Sequence, residues 1–303
     1  MKDSKRWLRP VLGFFVAAAF VYLAFGRLEW AEVEAALTSA APGPLLLALA
    51  ALAGGFSVRI IRWWWMLRAL EPDLPLSSCV RPFLVSLAVN NTVPLRAGDL
   101  VRAFGFRDEL RSPPMRVLGT LVIERILDLF VLLALFFGGL LGVAAGAFPP
   151  AFITTGVILG AFCLGGILVL VLAPARMQAL VMRILGSRVL RDRSWAGRAG
   201  ALVEQLLGGL SLLQSPLRAL QLLGLSLLAW TLEGAMFASA AWSLHTEASL
   251  LGAWFSLATG TLETIIPSSP GYVGTFDYFA MLGMVAYGAS RTGAAAFALL
   301  VHL

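Results

Sequence analysis

The chain has 303 residues, 59% of them hydrophobic and 13% charged, with a net charge of +6. A soluble domain carries about 25% charged residues, so these proportions exclude one and indicate a polytopic membrane protein. Long apolar runs, in place of weakly alternating segments of about ten residues, exclude a β-barrel, and there is no soluble basic domain to bind nucleic acid. The positive excess is expected on cytoplasmic loops and suits an anionic lipid surface. Cys79 and Cys163 stand apart in apolar surroundings, and His245 and His302 are equally isolated. No disulfide framework, metal site or cofactor is expected from them.

In chain order, Lys2, Lys5, Arg6 and Arg9 precede an apolar run from Val11 to Phe25. The small residues Ala17-Ala18-Ala19 lie inside that run and not after it, so a retained first helix with a cytoplasmic N-terminus is expected in preference to a signal peptide. An acidic loop with Glu29, Glu32 and Glu34 follows. A second helix is expected over Pro44–Leu67. It ends in Arg59, Arg62, Trp63-Trp64-Trp65 and Arg68, the composition of an interfacial aromatic belt with snorkelling arginines. Arg59 and Arg62 share a helix face, and lining an entrance for an anionic lipid is the other reading of that pair.

The apolar run Cys79–Val89 is too short to cross a bilayer, which takes about 20 residues. It ends in Asn90-Asn91-Thr92-Val93-Pro94-Leu95-Arg96-Ala97-Gly98-Asp99, where a span would still be apolar. Arg102, Arg107, Arg111 and Arg116 then mark a cytoplasmic side, so Cys79–Pro94 is expected to enter and leave on one side. A third helix, Val117–Leu141, carries Glu124, Arg125 and Asp128. At 1.5 Å per residue Glu124 lies roughly 10 Å in and Asp128 roughly 16 Å. Charges at such depth need partners and are functional candidates by default; the alternative is a structural lock to a neighbouring helix. Arg125 and Asp128, three apart, are expected to pair.

Ala151–Ala173 is expected as a Gly- and Ala-rich fourth helix, and 175–215 as amphipathic helices on the cytoplasmic face. A fifth helix spans Leu217–Trp242 with Glu233 inside it. A sixth, Leu250–Ile266, carries Glu263 just before a second break, Thr264 to Asp277. That break repeats the Pro-x-x-x-Gly of the first, as Pro267/Gly271 against Pro94/Gly98. Paired interruptions of this kind mark the binding site of transporters. A short run, Phe276–Tyr287, and a clipped apolar start after Arg291 complete the chain. The fold expected is one all-α integral membrane domain over 1–303: about six spans of some 20 residues, two broken or re-entrant elements, and a pattern compatible with an inverted repeat.

Three sets of residues, in order, resemble the flippase-like integral membrane family related to the membrane domain of lysylphosphatidylglycerol synthase. The first is Asn91, Pro94, Arg96, Gly98, Asp99 and Arg102; the second Glu124, Arg125 and Asp128; the third Pro267, Pro270, Gly271, Gly274 and Asp277. The resemblance covers nearly the whole chain. Asp99 and Asp277 stand where the family often has Glu, and its Gly-Gly reads Gly271-Tyr272 here. The aminoacyl-transferring soluble domain has no counterpart in these residues, so lipid aminoacylation is not expected; the resemblance implies lipid translocation.

The expectation is therefore a lipid flippase or transporter in the cytoplasmic membrane, acting on a phospholipid or lipid-linked anionic headgroup. Asn90, Asn91, Arg96, Asp99, Arg102, Glu124, Arg125, Asp128, Glu263 and Asp277 are the candidate substrate contacts. Pro94–Asp99 and Pro267–Asp277 are expected to meet and form one polar cavity, because lipid cannot satisfy the backbone each break strands. The alternative is a membrane-embedded transferase acting on a phospholipid or polyprenyl phosphate, although the sequence has no metal-binding carboxylate cluster for it.

Overall fold

The computed structural model describes residues 4–93, 97–143, 215–262 and 270–302, with Leu212 and isolated helical positions between 154 and 183. Among these residues there are 11 α-helices and no strand. They are α1 (Ser4–Phe25), α2 (Trp30–Thr38), α3 (Pro42–Arg68), α4 (Ser77–Thr92), α5 (Ala97–Leu100), α6 (Arg107–Leu110) and α7 (Pro114–Leu140), then α8 (Pro216–Ser243), α9 (Leu250–Leu262), α10 (Thr275–Ala286) and α11 (Arg291–His302). A wide helical turn, Val101–Gly105, joins α5 to α6, and a tight turn, Pro270–Tyr272, precedes α10.

Proline starts the three long helices, as Pro42, Pro114 and Pro216. It has no N–H to strand there, and its fixed φ suits a first turn. Two of the three, α3 with 27 residues and α8 with 28, are long and apolar enough to cross a membrane. They pack along each other. The 27 residues of α7 are as long, but they carry Glu124, Arg125 and Asp128. The acidic stretch expected as a loop is in fact helix α2, which lays buried Val33 inward and packs against α11. Ala151–Ala173 and 175–215 lie outside the described residues apart from isolated positions.

After α4 the chain turns back beside it, and α5, the wide turn and α6 all pack on α4. Gly98 permits the return: a Cβ there would overlap the Ser86 carbonyl oxygen and meet Asn90 Oδ1 at 2.7 Å. Asn90 Oδ1 accepts from the Gly98 N–H at 2.8 Å, closing the turn with a side chain where the ladder is broken. Helices α9 and α10 are held by hydroxyls, with Ser256 Oγ donating to Ala280 O at 2.7 Å and Thr259 Oγ1 to Phe279 O at 2.8 Å. In lipid such bonds and close van der Waals packing replace the hydrophobic effect as the force between helices.

Two apolar cores result. One gathers α1, α2, α9, α10 and α11 with Val131 and Leu132 of α7 and Trp230–Leu244 of α8. The other gathers the end of α3 with α4, α6, Val117–Leu127 of α7 and Leu222 of α8. Asp128 on α7 falls between the two sets, and Ser226 does so on α8. Buried Asp128 thus sits at the join.

Candidate functional site

A cavity of about 660 Å³ opens along the join. Its walls come from α3, α4, α5, the wide turn, α7, α8, the end of α9, Tyr272 and α11. The described parts of the two breaks face each other across it. Asn90, Asn91 and Asp99 come from the first and Tyr272 and Phe276 from the second, with Arg102 just after the first. A Cβ on Gly271 would lie 3.4 Å from the Asn91 carbonyl oxygen.

Around the cavity four arginines meet four carboxylates. Arg62 on α3 pairs with Asp128 on α7, at 2.7 and 3.3 Å through both guanidinium NH2 groups. The Arg62 side chain is 0% exposed. Ser226 Oγ takes a further bond from Arg62 at 2.7 Å, and Trp230 Nε1 donates to Asp128 Oδ1 at 3.1 Å. These contacts pin α3, α7 and α8 at one point. One turn earlier on α3, Arg59 pairs with Glu233 of α8 and lies over the Trp230 ring at 4.8 Å.

Arg102 sits in the wide turn, and irregular winding of this kind is common where a side chain must be aimed. Its guanidinium is sandwiched between Trp63, 3.6 Å from the ring centroid, and Phe83, at 4.8 Å. Glu124 faces it with both oxygens, at 3.4 and 3.3 Å. Trp63 is itself buried and donates from Nε1 to Thr120 at 3.1 Å. Of the three adjacent tryptophans only Trp65 is exposed in the way a membrane-surface belt requires. Arg125 is different from these: its side chain is 41% exposed, and Asp99 holds one NH2 group with both oxygens at 3.3 Å. Asn90 Nδ2 also donates to Asp99 at 3.2 Å. Each of Arg62, Arg102 and Arg125 leaves a buried Nε–H without an acceptor among the described residues.

At the second break, Asp277 is buried at the start of α10 and takes the Gly274 N–H at 2.9 Å. His302 Nδ1 lies 2.7 Å from the other Asp277 oxygen. The turn between has three positive φ values, 68° at Gly271, 58° at Tyr272 and 86° at Gly274. Gly274 also lies against α1, where a Cβ would stand 2.7 Å from the Ala17 carbonyl oxygen.

A family model described as the lysylphosphatidylglycerol synthase TM region matches residues 11–303. The chain belongs to that family. Its membrane location follows from the family together with the two helices long and apolar enough to span. The chain is also similar to the protein named glycosyltransferase AglD of Haloferax volcanii, 26% identical over 318 residues. The match takes in 95% of this chain but 50% of that protein, so the chain spans half the length of the relative.

Within this member of the lysylphosphatidylglycerol synthase membrane family, the structure brings together Asn90, Asn91, Asp99, Arg102, Glu124, Arg125 and Asp128 on one cavity. Asp277 reaches it through His302, which lines the wall. Pro94, Arg96, Glu263 and Pro267 lie outside the described residues. The pair expected between Arg125 and Asp128 does not form: Arg125 turns to Asp99 and Asp128 to Arg62. A pair within α7 would have left Arg62 buried with no full counter-charge, which costs several kcal/mol. Sequence reading missed Arg62 as a network member, and with it Trp230 and Ser226; three arginines beside three tryptophans look the same at a membrane surface. Two Arg at i and i+3, with Glu233 inside an apolar run elsewhere, was the available signal. His302 is not isolated either.

Proposed function

We propose that the protein binds the anionic headgroup of a membrane lipid in this cavity and carries it between leaflets. The supporting observation is a junction. Asp99, Arg125 and Leu129 line the 660 Å³ charged cavity and also an apolar groove of about 380 Å³ formed with Leu118, Leu121, Val122 and Ile126. A lipid has the same two-part chemistry, and its phosphate would meet Arg125 where its chains meet α7. Arginine suits the role, because its planar fork grips a phosphate with two bonds. The Arg125–Asp99 contact is partly exposed where Arg102–Glu124 is buried, so a phosphate can take the place of the carboxylate there. On this reading the short helices α4 and α10 are re-entrant elements, 1–303 is one membrane domain, and the N-terminus and Pro174–Arg218 are cytoplasmic. A cysteine at position 194 is then inaccessible to reagents applied from outside the cell.

The experiment is reconstitution into vesicles with an acyl-labelled phosphatidylglycerol, followed by a reducing agent that cannot cross the bilayer. The expected result is bleaching of the inner-leaflet label in vesicles that contain the protein, with the lipid chemically unchanged. Folded protein that moves no anionic lipid overturns the reading. The glycosyltransferase name of the relative favours a second reading, a membrane-embedded transferase on a polyprenyl phosphate. It predicts a heavier lipid product by mass spectrometry when a nucleotide sugar is added, and no requirement for movement between leaflets.

A further inference from the structure

The cavity wall contains a group whose bonding fixes its protonation. His302 has both ring nitrogens against oxygens: Nδ1 is 2.7 Å from Asp277 Oδ1, and Nε2 is 2.8 Å from the Gly271 carbonyl oxygen. The carbonyl can only accept. The Asp277 carboxylate accepts as well, and its second oxygen already takes the Gly274 N–H at 2.9 Å. A neutral imidazole has one N–H and one bare lone pair, so in either tautomer one of these short contacts sets a lone pair against an oxygen. Two N–H groups satisfy both contacts. With both Asp277 oxygens accepting, the second proton sits on the ring.

We propose that His302, with Asp277 as its counter-charge, is a proton-binding site in the cavity wall, and that the bound proton holds the turn at 271–274 in place. The loaded pair has no net charge, which suits a wall with little water. The turn it holds carries three positive φ values, one of them at Tyr272, a residue with a side chain. Such a conformation persists only where surrounding contacts impose it. His302 grips this turn at Gly271, and Asp277 grips it at Gly274. Release of the proton to water converts one grip into a repulsion, and frees the segment that sets Tyr272 in the cavity and Gly271 beside Asn91 of the first break.

Among the described residues, the following charges have other partners. On α8, Glu233 lines the cavity but is engaged by Arg59. On α2, Glu32 meets Thr292 at the far end of α11, where Arg291 donates to Leu23 O. On α10 the edge of the Phe276 ring abuts the imidazole, 5.1 Å between centroids. Only the consequence for lipid movement rests on the function proposed above; the proton site stands on its own geometry.

The chain has two histidines, so in His245→Gln protein the sole imidazole is His302. Nitrogen-15 NMR of that protein in lipid nanodiscs at about pH 7.5, one unit above the ordinary histidine value of about 6.5, reads the ring directly. Imidazolium shifts at both nitrogens are expected, and neutral-ring shifts in the same protein carrying Asp277→Asn, which keeps the size and removes the charge. A neutral ring beside intact Asp277, or an imidazolium that survives Asp277→Asn, overturns the proposal. Lipid movement measured at pH values on both sides of that at which the ring loses its proton should vary in the parent and be flat in His302→Gln. Identical profiles overturn the coupling. A protein that moves no lipid yet gives the expected spectra leaves the proton site standing and counts against the transport reading.

Discussion

Arg62 and Arg125 belong to one set of charges around the cavity, yet their surroundings assign them opposite work. Arg62 is fully buried and bound to three helices through short contacts with Asp128 and Ser226, while Trp230 completes the carboxylate. Arg125 is 41% exposed and holds Asp99 at 3.3 Å at the junction of cavity and groove. Two charges in an apolar place must be matched, but a buried match shared among three helices is a lock, whereas a partly exposed match at an opening can be exchanged for a ligand. A buried ion pair is thus no guide to function until its exposure and its remaining partners are known.

The difference can be broken from the locked side first. Arg62→Ala and Asp128→Ala each strand a buried charge and should cost about 3–5 kcal/mol, seen as loss of folded protein in detergent and a lower unfolding midpoint. The double variant should cost less than the sum of the two; simple additivity would separate the pair. Next, Gly98→Ala pushes a Cβ into the Ser86 carbonyl oxygen, and overpacking of this sort costs about 1–3 kcal/mol. It should lower the midpoint and displace Asp99 from Arg125, so lipid binding falls as well. Trp230→Phe keeps the ring and removes one bond to the Asp128 carboxylate, worth about 1.5 kcal/mol, with lipid binding retained. The smallest effect on stability is expected at the open pair: Arg125→Ala should change it by about 1 kcal/mol or less, as partly exposed ion pairs do.

The all-helical fold was legible because long apolar runs leave few alternatives in a membrane. The site was legible where a charge interrupts such a run, as at Asp99, Glu124, Arg125 and Asp128, since lipid tolerates these only for a reason. Partners were less legible. Helical spacing places Arg125 near Asp128, but it cannot register a third helix that brings Arg62 to the same carboxylate. Trp63 has the composition of a membrane-surface residue and became instead the platform under Arg102. The helix α2 was hidden because its nine residues bury only Val33, too little apolar pattern to stand out from an acidic loop. His302 gave no local signal, since Gly271 and Asp277, its two partners, come from another element.

The central claim, that the Arg125–Asp99 pair is where a lipid headgroup is exchanged while Arg62–Asp128 only holds the helices, is tested most directly by native mass spectrometry. Protein extracted from phosphatidylglycerol-containing membranes is compared as parent, Arg125→Ala and Arg125→Lys, with Trp230→Phe as the control at the lock. Retained anionic lipid is expected in the parent and in Trp230→Phe, a loss of about tenfold, equal to 1.4 kcal/mol, in Arg125→Ala, and a partial return in Arg125→Lys, whose ammonium lacks the two-pronged fork. Arg125→Ala protein that is folded and carries as much anionic lipid as the parent would contradict the account.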